Sequence, residues 1–133
     1  MIITIDYLFA DASTQIVKGE GLNDALQAIR DFPWENQLSE DASPEVHFVR
    51  RAHADTAPDD IEAYASVLKN DNNTWLIVAG ARKPGRLLGL IPVIKKADIV
   101  LDELSWQDVS DFLEHFYQDC TGDLFAWMKA RDI

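Results

Sequence analysis

The stretch WLIVAGARKPGRLLGLI, residues 75–91, decides how this sequence is expected to fold. It contains two nearly continuous apolar runs, Trp75–Ala79 and Leu87–Ile91, which are separated by Gly80–Arg86. Short apolar runs flanked by glycine are typical of buried strands, because a helix of a globular protein usually needs about ten residues or more. The sequence therefore predicts two central strands joined by a hairpin connection at residues 80–86.

Four other segments carry the β-branched and aromatic residues that are typical of strands. Ile2–Phe9 predicts an opening strand, and Gln15–Lys18 predicts a short strand that pairs back against it. Val46–Arg50 alternates between apolar and polar positions, so that both ends of the segment are expected on one face. Ile99–Leu101 predicts one more short strand.

Two segments have the apolar period of an amphipathic helix. The first is Leu22–Phe32, and it is expected to end there because Pro33 disfavours helical geometry in the preceding residue. The second is Trp106–Gln118, which is the clearest helical pattern in the chain. Ser105 is a suitable N-cap for it, and Asp108 stands three residues further on, close to the pattern of a capping box.

A third helix is predicted from Pro58 through Leu68, with Thr56 as its N-cap and its apolar residues on one arc. Leu124–Met128 fits a strand and a short helix equally well, so its state stays open. Strands and helices in this mixed order, with at least one hairpin, predict the α+β class. We expect a single domain over residues 1–133, with about three helices packed on a mostly antiparallel sheet.

Acidic side chains outnumber basic ones by 23 to 12, which gives the 133-residue chain a formal net charge of −11. Hydrophobic residues make up 47% and charged residues 26% of the chain, as in ordinary globular domains, so the acid is expected on a folded body. A body with that field repels nucleic acid and anionic membranes and attracts cationic proteins. The sequence therefore predicts a basic protein partner, and neither nucleic acid nor membrane as a partner.

Cysteine usage and the apolar runs indicate a compartment. The only cysteine, Cys120, has no partner for an internal disulfide. The start of the chain, Met1–Asp6, lacks the basic segment and long apolar run of a secretory signal. The apolar runs are also far shorter than the roughly 18 residues that a membrane span needs. These features predict a cytoplasmic protein.

Motifs that carry chemistry are sparse. The sequence has neither His-x-x-x-His nor Cys-x-x-Cys spacing, so it predicts no metal site and no cofactor. Gly80 and Gly85 are spaced as in a phosphate-binding loop, but no Lys-Ser or Lys-Thr follows them. Asp111, His115 and Cys120 alone resemble a catalytic cluster. They leave open the alternative of a small-ligand-binding or enzymatic α+β domain with a pocket near these three residues, whereas the main expectation is a protein without catalytic residues.

The polar face of the predicted helix at residues 106–118 is the best candidate for a docking surface. Three carboxylates stand there within two turns, no lysine or arginine interrupts them, and two more precede the helix. Aromatic side chains are common anchors of protein interfaces, and one tryptophan lies in a loop between predicted elements. The candidate partner-binding residues are Asp102, Glu103, Asp108, Asp111, Glu114 and Trp34.

The chain resembles the small, acidic immunity proteins of bacterial polymorphic-toxin and contact-dependent inhibition systems. The resemblance lies in an N-terminal strand pair that leads into Gly21–Ile29, in the Trp-led strand Thr74–Ala79, and in the late helix Asp108–Phe116 followed by Phe125–Trp127. It implies a non-enzymatic protein that binds and neutralises a basic toxin, such as a nuclease, by occluding its active site. A third class, an adaptor in a larger assembly, would expose an apolar patch of several hundred Å².

Overall fold

A computed structural model describes residues 2–35, 40–51, 61–118 and 121–131, with the backbone alone at Pro84 and Thr121–Asp123. The strands of this part of the chain are β1 (Ile2–Leu8), β2 (Thr14–Val17), β3 (Glu45–Arg51), β4 (Ala63–Lys69), β5 (Trp75–Leu87) and β6 (Ile91–Leu104). The helices are α1 (Gly21–Asp31), α2 (Trp106–Phe116) and α3 (Thr121–Lys129). The strands form one antiparallel sheet in the order β2-β1-β3-β4-β5-β6. This architecture confirms the α+β prediction.

The strand register separates the sheet into two different faces. One row of cross-strand neighbours is buried throughout and consists of Ile5, Phe48, Ala65, Ala79 and Ile99. The helices pack on this face: the Tyr7 hydroxyl, from the same side of β1, donates to the Ala28 carbonyl of α1 at 2.6 Å. The opposite face carries His47, Ser66 and Asp98 and is only partly covered. Burial of one face explains the alternation of apolar and polar positions at Val46–Arg50.

A buried arginine connects the sheet to the second helix. Arg50 of β3 has no exposed surface, and its Nε lies 3.2 Å from Oε2 of Glu62. Its Nη1 donates to the carbonyl of Phe116, the last residue of α2, at 3.0 Å. A cation is favoured at this position because the carbonyl end of a helix carries partial negative charge. Arg50 therefore fixes where α2 ends relative to the sheet, and it faces the helices as its alternation with Val46 predicts.

The helix predicted from Pro58 through Leu68 is wrong over its described part, because residues 63–69 form β4. Its predicted N-cap, Thr56, lies outside the described residues. β4 is hydrogen-bonded on both sides, to β3 and to β5, and it lies at the centre of the sheet. Ala63, Ala65 and Val67 are buried under the helices, while Tyr64 and Leu68 are half-buried on the other face. Apolar residues on both faces of a strand produce pairs that imitate the period of a helix.

The loop predicted at residues 80–86 is also wrong, because β5 continues through it without a break. The turn is Leu88–Leu90, and β6 begins directly after it. The predicted strand Ile99–Leu101 is only a short part of this longer strand. Gly80 does not mark a turn. A Cβ at that position would lie 2.5 Å from the ring of its cross-strand neighbour Tyr64, so the glycine permits a close approach of strand and ring.

The helix ends follow the sequence closely. Helix α1 ends at Asp31, with Phe32 in extended geometry before Pro33. Ser105 and Asp108 form the predicted capping box at the start of α2. The open question at Leu124–Met128 is settled as helix, within α3. Three helices therefore pack on the sheet, as predicted, although the third is C-terminal instead of central.

We expect the Arg50–Glu62 ion pair to respond unequally to loss of its two members. Glu62→Ala removes a carboxylate from a fully buried guanidinium and should lower the free energy of unfolding by about 3 kcal/mol. Arg50→Met should cost less, because the Glu62 side chain is 24% exposed and water can solvate the carboxylate that remains. Urea denaturation measures both changes, with exposed Glu20→Ala as a control expected within about 0.5 kcal/mol of the parent. Equal costs for the two variants would contradict this account of Arg50.

Candidate functional site

An open groove of about 470 Å³ lies between the polar face of α2, the C-terminal part of β6 and α3. Its rim carries the carboxylates of Asp108, Asp111 and Glu114, and we call it the acidic groove. The three residues are spaced by three positions, which places them along one side of a helix. The structure therefore brings together three of the residues that the sequence predicts for partner binding.

Helix α2 holds these carboxylates because its other side is fixed by the core. Val109, Phe112, Leu113 and Phe116 are buried against the sheet. At the N-terminus, the Ser105 hydroxyl accepts a hydrogen bond from the backbone N–H of Asp108 at 3.1 Å, and the Asp108 carboxylate accepts one from the N–H of Ser105 at 2.9 Å. Asp108 is thus engaged in capping the helix.

The other two carboxylates have no such structural duty. Asp111 is exposed and accepts a surface hydrogen bond from the Gln107 amide at 2.9 Å. Glu114 is exposed one turn further along the helix. Surface contacts of this kind contribute little to folding. Asp111 and Glu114 are therefore the acidic side chains of the groove that are most available to a ligand.

The remaining lining is partly apolar and comes from residues that the sequence did not point to. Leu101 and Leu104 of β6 and Trp127 of α3 are half-buried along the groove. The Arg131 guanidinium lies 3.8 Å from the centre of the Trp127 ring, and its Nη1 donates to the Trp127 carbonyl at 2.9 Å. The groove thus has an apolar floor beside its carboxylates. The Arg131 side chain also lies in the groove, where it contacts Trp127.

The predicted cluster of Asp111, His115 and Cys120 is assembled only in part. Asp111 and His115 both line the groove, but no hydrogen bond or ion pair joins them among the contacts of the described residues. His115 instead stacks on the Trp127 ring, with ring centres 5.1 Å apart. Cys120 lies outside the described residues. Among its described residues the acidic groove therefore shows no oriented acid–histidine pair of the kind that general-base catalysis uses.

Asp102 and Glu103 lie at the end of β6, before α2 begins, and both are exposed. The Asp102 carboxylate accepts hydrogen bonds from the Asn70 amide at 2.9 Å and from the N–H of Glu103 at 2.7 Å. Glu103 has a φ of 54°, which is uncommon for a residue other than glycine. These two residues shape the bend between strand and helix, beside the acidic groove but outside its lining.

Trp34 is placed as a packing residue. Its indole N–H donates to the Ile29 carbonyl at 2.8 Å. Its ring contacts Phe32 and Trp75, with centres 4.3 and 5.5 Å away, and Trp75 in turn contacts Trp106 at the start of α2. The ring is half-buried at the edge of the core. Its role as an interface anchor stays a prediction, because these contacts already explain the residue.

A second polar cluster lies on the opposite face of the sheet. The Ser66 hydroxyl lies 3.2 Å from the Glu45 carboxylate and 2.8 Å from Nδ1 of His47. The Ser66 hydroxyl has one proton, which is donated either to Glu45 or to Nδ1 of His47, according to the tautomer of the imidazole. Nearby, burial and the Asp98 carboxylate raise the pKa of the Tyr64 hydroxyl above its ordinary value. This cluster joins neighbouring strands and needs no catalytic explanation.

The described residues contain no group of three or more histidine, cysteine or acidic side chains arranged to hold a metal ion. Their helices also include none that is long and apolar enough to cross a membrane. A scan against protein-family models and searches of curated proteins and of solved structures found no match to this chain. The resemblance to immunity proteins therefore stays a prediction.

We expect the groove to depend on the Ser105 cap for the position of its first turn. Ser105→Ala removes the hydroxyl that satisfies the Asp108 N–H and should lower the free energy of unfolding by about 1 kcal/mol. Ser110→Ala, inside the same helix, is the matched control and should change it by less than about 0.5 kcal/mol. Chemical denaturation followed by far-UV circular dichroism compares the two. If both variants unfold like the parent protein, the capping box does not stabilise α2.

Proposed function

We propose that this protein binds a basic protein toxin in the acidic groove and neutralises it by covering the toxin's active site. The observation that carries the proposal is the presence of three carboxylates at the rim of one groove with an apolar floor. A nuclease toxin is the partner that fits best, because its cationic site is shaped to receive phosphates and carboxylates can take their place. The protein then acts by binding, without catalysis of its own, in the cytoplasm where such a nuclease would find its substrate.

Net charge supports the encounter between such partners. At −11 the chain attracts a basic protein over a distance set by the ionic strength. Electrostatic steering of this kind raises association rates towards about 10⁸–10⁹ M⁻¹s⁻¹ at low salt; the type case, a basic ribonuclease with an acidic inhibitor, is a well-studied pair of this class. Asp111 and Glu114 are exposed, so they are available for the first contact.

The floor of the groove supports a lasting complex. Charge steers the encounter, but affinity depends on side chains that become fully buried at the centre of the interface. Trp127, Leu101 and Leu104 offer half-buried apolar surface between the carboxylates and the sheet. An aromatic or arginine side chain of the partner could rest on Trp127, where Arg131 of this chain lies now. The carboxylates at the rim then raise the association rate, and the apolar side chains of the floor provide the affinity.

A small ligand is the second candidate for the same groove. Its volume of about 470 Å³ is within the range of small-molecule sites, and both Asp111 and His115 face it. The groove is open, however, and small-molecule sites usually enclose most of the ligand. The unconnected Asp111 and His115 also favour binding over catalysis. A small molecule that binds in the groove as tightly as a substrate binds its enzyme, and whose binding requires the His115 side chain, would favour this second candidate.

The proposal is tested by reversing charge at the rim of the groove. Asp111→Lys with Glu114→Lys should weaken binding of the product of the adjacent gene, the candidate toxin, by about tenfold or more. The matched control is Glu40→Lys with Asp71→Lys, which changes the net charge equally at exposed positions outside the groove. Surface plasmon resonance separates the rates, and a nuclease assay reports neutralisation.

Comparison of the two variants distinguishes docking at the acidic groove from a general effect of the net charge on binding. Greater loss for the groove variant, with unfolding within about 0.5 kcal/mol of the parent, supports docking at Asp111 and Glu114. Equal loss in both variants would mean that only the overall charge matters. Unchanged binding in the groove variant, or a neighbouring gene whose product does not bind, would refute the proposal.

A further inference from the structure

The β5–β6 hairpin extends beyond the rest of the sheet. β4 stops pairing with β5 at Ala81, and the Arg82 N–H still donates to the Glu62 carbonyl. Among the described residues, β5 and β6 from there to the turn pair only with each other, ending at Leu87 and Ile91. At about 3.3 Å per residue this ribbon reaches roughly 17 Å past the end of β4. We call residues 82–96 the arm.

Charge in the arm is opposite to that of the rest of the chain. The arm contains five basic residues and no acidic one: Arg82, Lys83, Arg86, Lys95 and Lys96. Because the chain has 12 basic side chains in all, 7 remain outside the arm against 23 acidic ones, which is a formal charge of −16. The arm therefore has a formal charge opposite in sign to that of the rest of the chain.

The tip of the arm exposes large apolar side chains on all sides. Leu88 and Leu90 at the turn are 88% and 81% exposed, and Leu87, Ile91 and Ile94 are each more than half exposed. The strand register places Leu87 and Ile91 on the face that carries the helices further down the sheet, and Ile94 on the other. At the base, by contrast, the Lys83 ammonium lies over the Phe125 ring of α3. Contiguous apolar exposure of this kind marks an interaction site.

The turn itself contains a residue that folding does not favour. Leu88 and Gly89 have φ values of 53° and 74°, and the Leu90 N–H donates to the Leu87 carbonyl at 3.1 Å. Two consecutive positive φ angles are typical of a type I′ turn, in which asparagine followed by glycine is the preferred pair. A leucine at the first position adopts an uncommon backbone conformation and is also exposed to water. Neither packing nor turn geometry explains Leu88.

We infer that the arm docks on the acidic body of a second copy, in a twofold dimer whose subunits exchange arms. A +5 arm and a −16 body in one chain make two copies complementary to each other. Twofold symmetry lets each arm reach the other body, closes the assembly and buries both apolar tips. Contact between the two arms alone would bring like charges together. The inference does not rest on the proposed toxin, because it is argued from residues of the arm, which do not line the acidic groove.

Leu88→Asn tests the apolar part of this contact in the full-length protein. Asparagine suits the turn better than leucine, so the variant should unfold no more easily than the parent. Sedimentation equilibrium should show the parent at twice 15.0 kDa and the variant with a dimer dissociation constant raised about a hundredfold or more, as expected when each dimer loses two buried leucines. The matched control is Ile16→Asn, which removes a 79% exposed apolar side chain from β2 at the opposite edge of the sheet.

Lys95→Glu with Lys96→Glu tests the electrostatic part. Its control is Lys18→Glu with Lys129→Glu, which makes the same change in net charge at exposed positions outside the arm. Docking on an acidic body predicts that the arm variant dissociates more than the control. If the arm variant dimerises more tightly than the control, the arms contact each other and the inference is wrong.

Two further outcomes would overturn the inference. One is a parent protein that stays monomeric at every concentration, whether or not it sediments with vesicles of phosphatidylglycerol and phosphatidylcholine. The other is a dimer that Leu88→Asn and Ile16→Asn affect equally, since the arm tip would then have no special part in it. Neither outcome bears on toxin binding, so failure of the dimer and failure of the proposed function are distinguishable.

Discussion

Burial of the Arg50 guanidinium is the constraint on which the rest of this structure depends. A charge without exposed surface is tolerated only with good partners, and Arg50 has Glu62 and the carbonyl of Phe116. The second contact is at the C-terminus of α2, where the helix dipole favours a cation. With Ser105 capping its other end, α2 is fixed at both termini and its apolar face lies against the sheet. Asp111 and Glu114 are then directed at the groove without taking part in folding.

Two groups of charged side chains of opposite sign lie in separate parts of the molecule, and folding requires neither group. Asp111 and Glu114 stand at the rim of the acidic groove, at one end of the β5–β6 hairpin. The five basic residues of the arm lie towards the other end of the same hairpin. A charge distribution needed for dispersal in water alone would mix the two signs over the surface. Their separation fits a protein that meets other proteins at two different places.

The sequence predicts the parts of the fold that local chemistry controls. Pro33 ends α1, Ser105 and Asp108 cap α2, and the period of residues 106–118 is that of a helix packed on one side. β4 was predicted wrongly because a central strand is apolar on both faces, and only its two neighbours reveal it as a strand. The arm was missed because glycine and basic residues at 80–86 are typical of loops. Of the site, the three carboxylates were predictable, whereas Trp127 and Arg131 reach the groove through tertiary packing of α3.

The central proposal is that a basic protein partner docks in the acidic groove. Its most direct test is hydrogen–deuterium exchange of the free protein and of its complex with such a partner. Docking in the groove predicts slower exchange in α2, in α3 and at the end of β6 around Leu101 and Leu104, because these segments form its walls. Exchange in β1 and β2 should stay unchanged, since they lie at the far edge of the sheet. Protection confined to the arm or to the open face around His47 and Ser66, with α2 and α3 unchanged, would contradict the account.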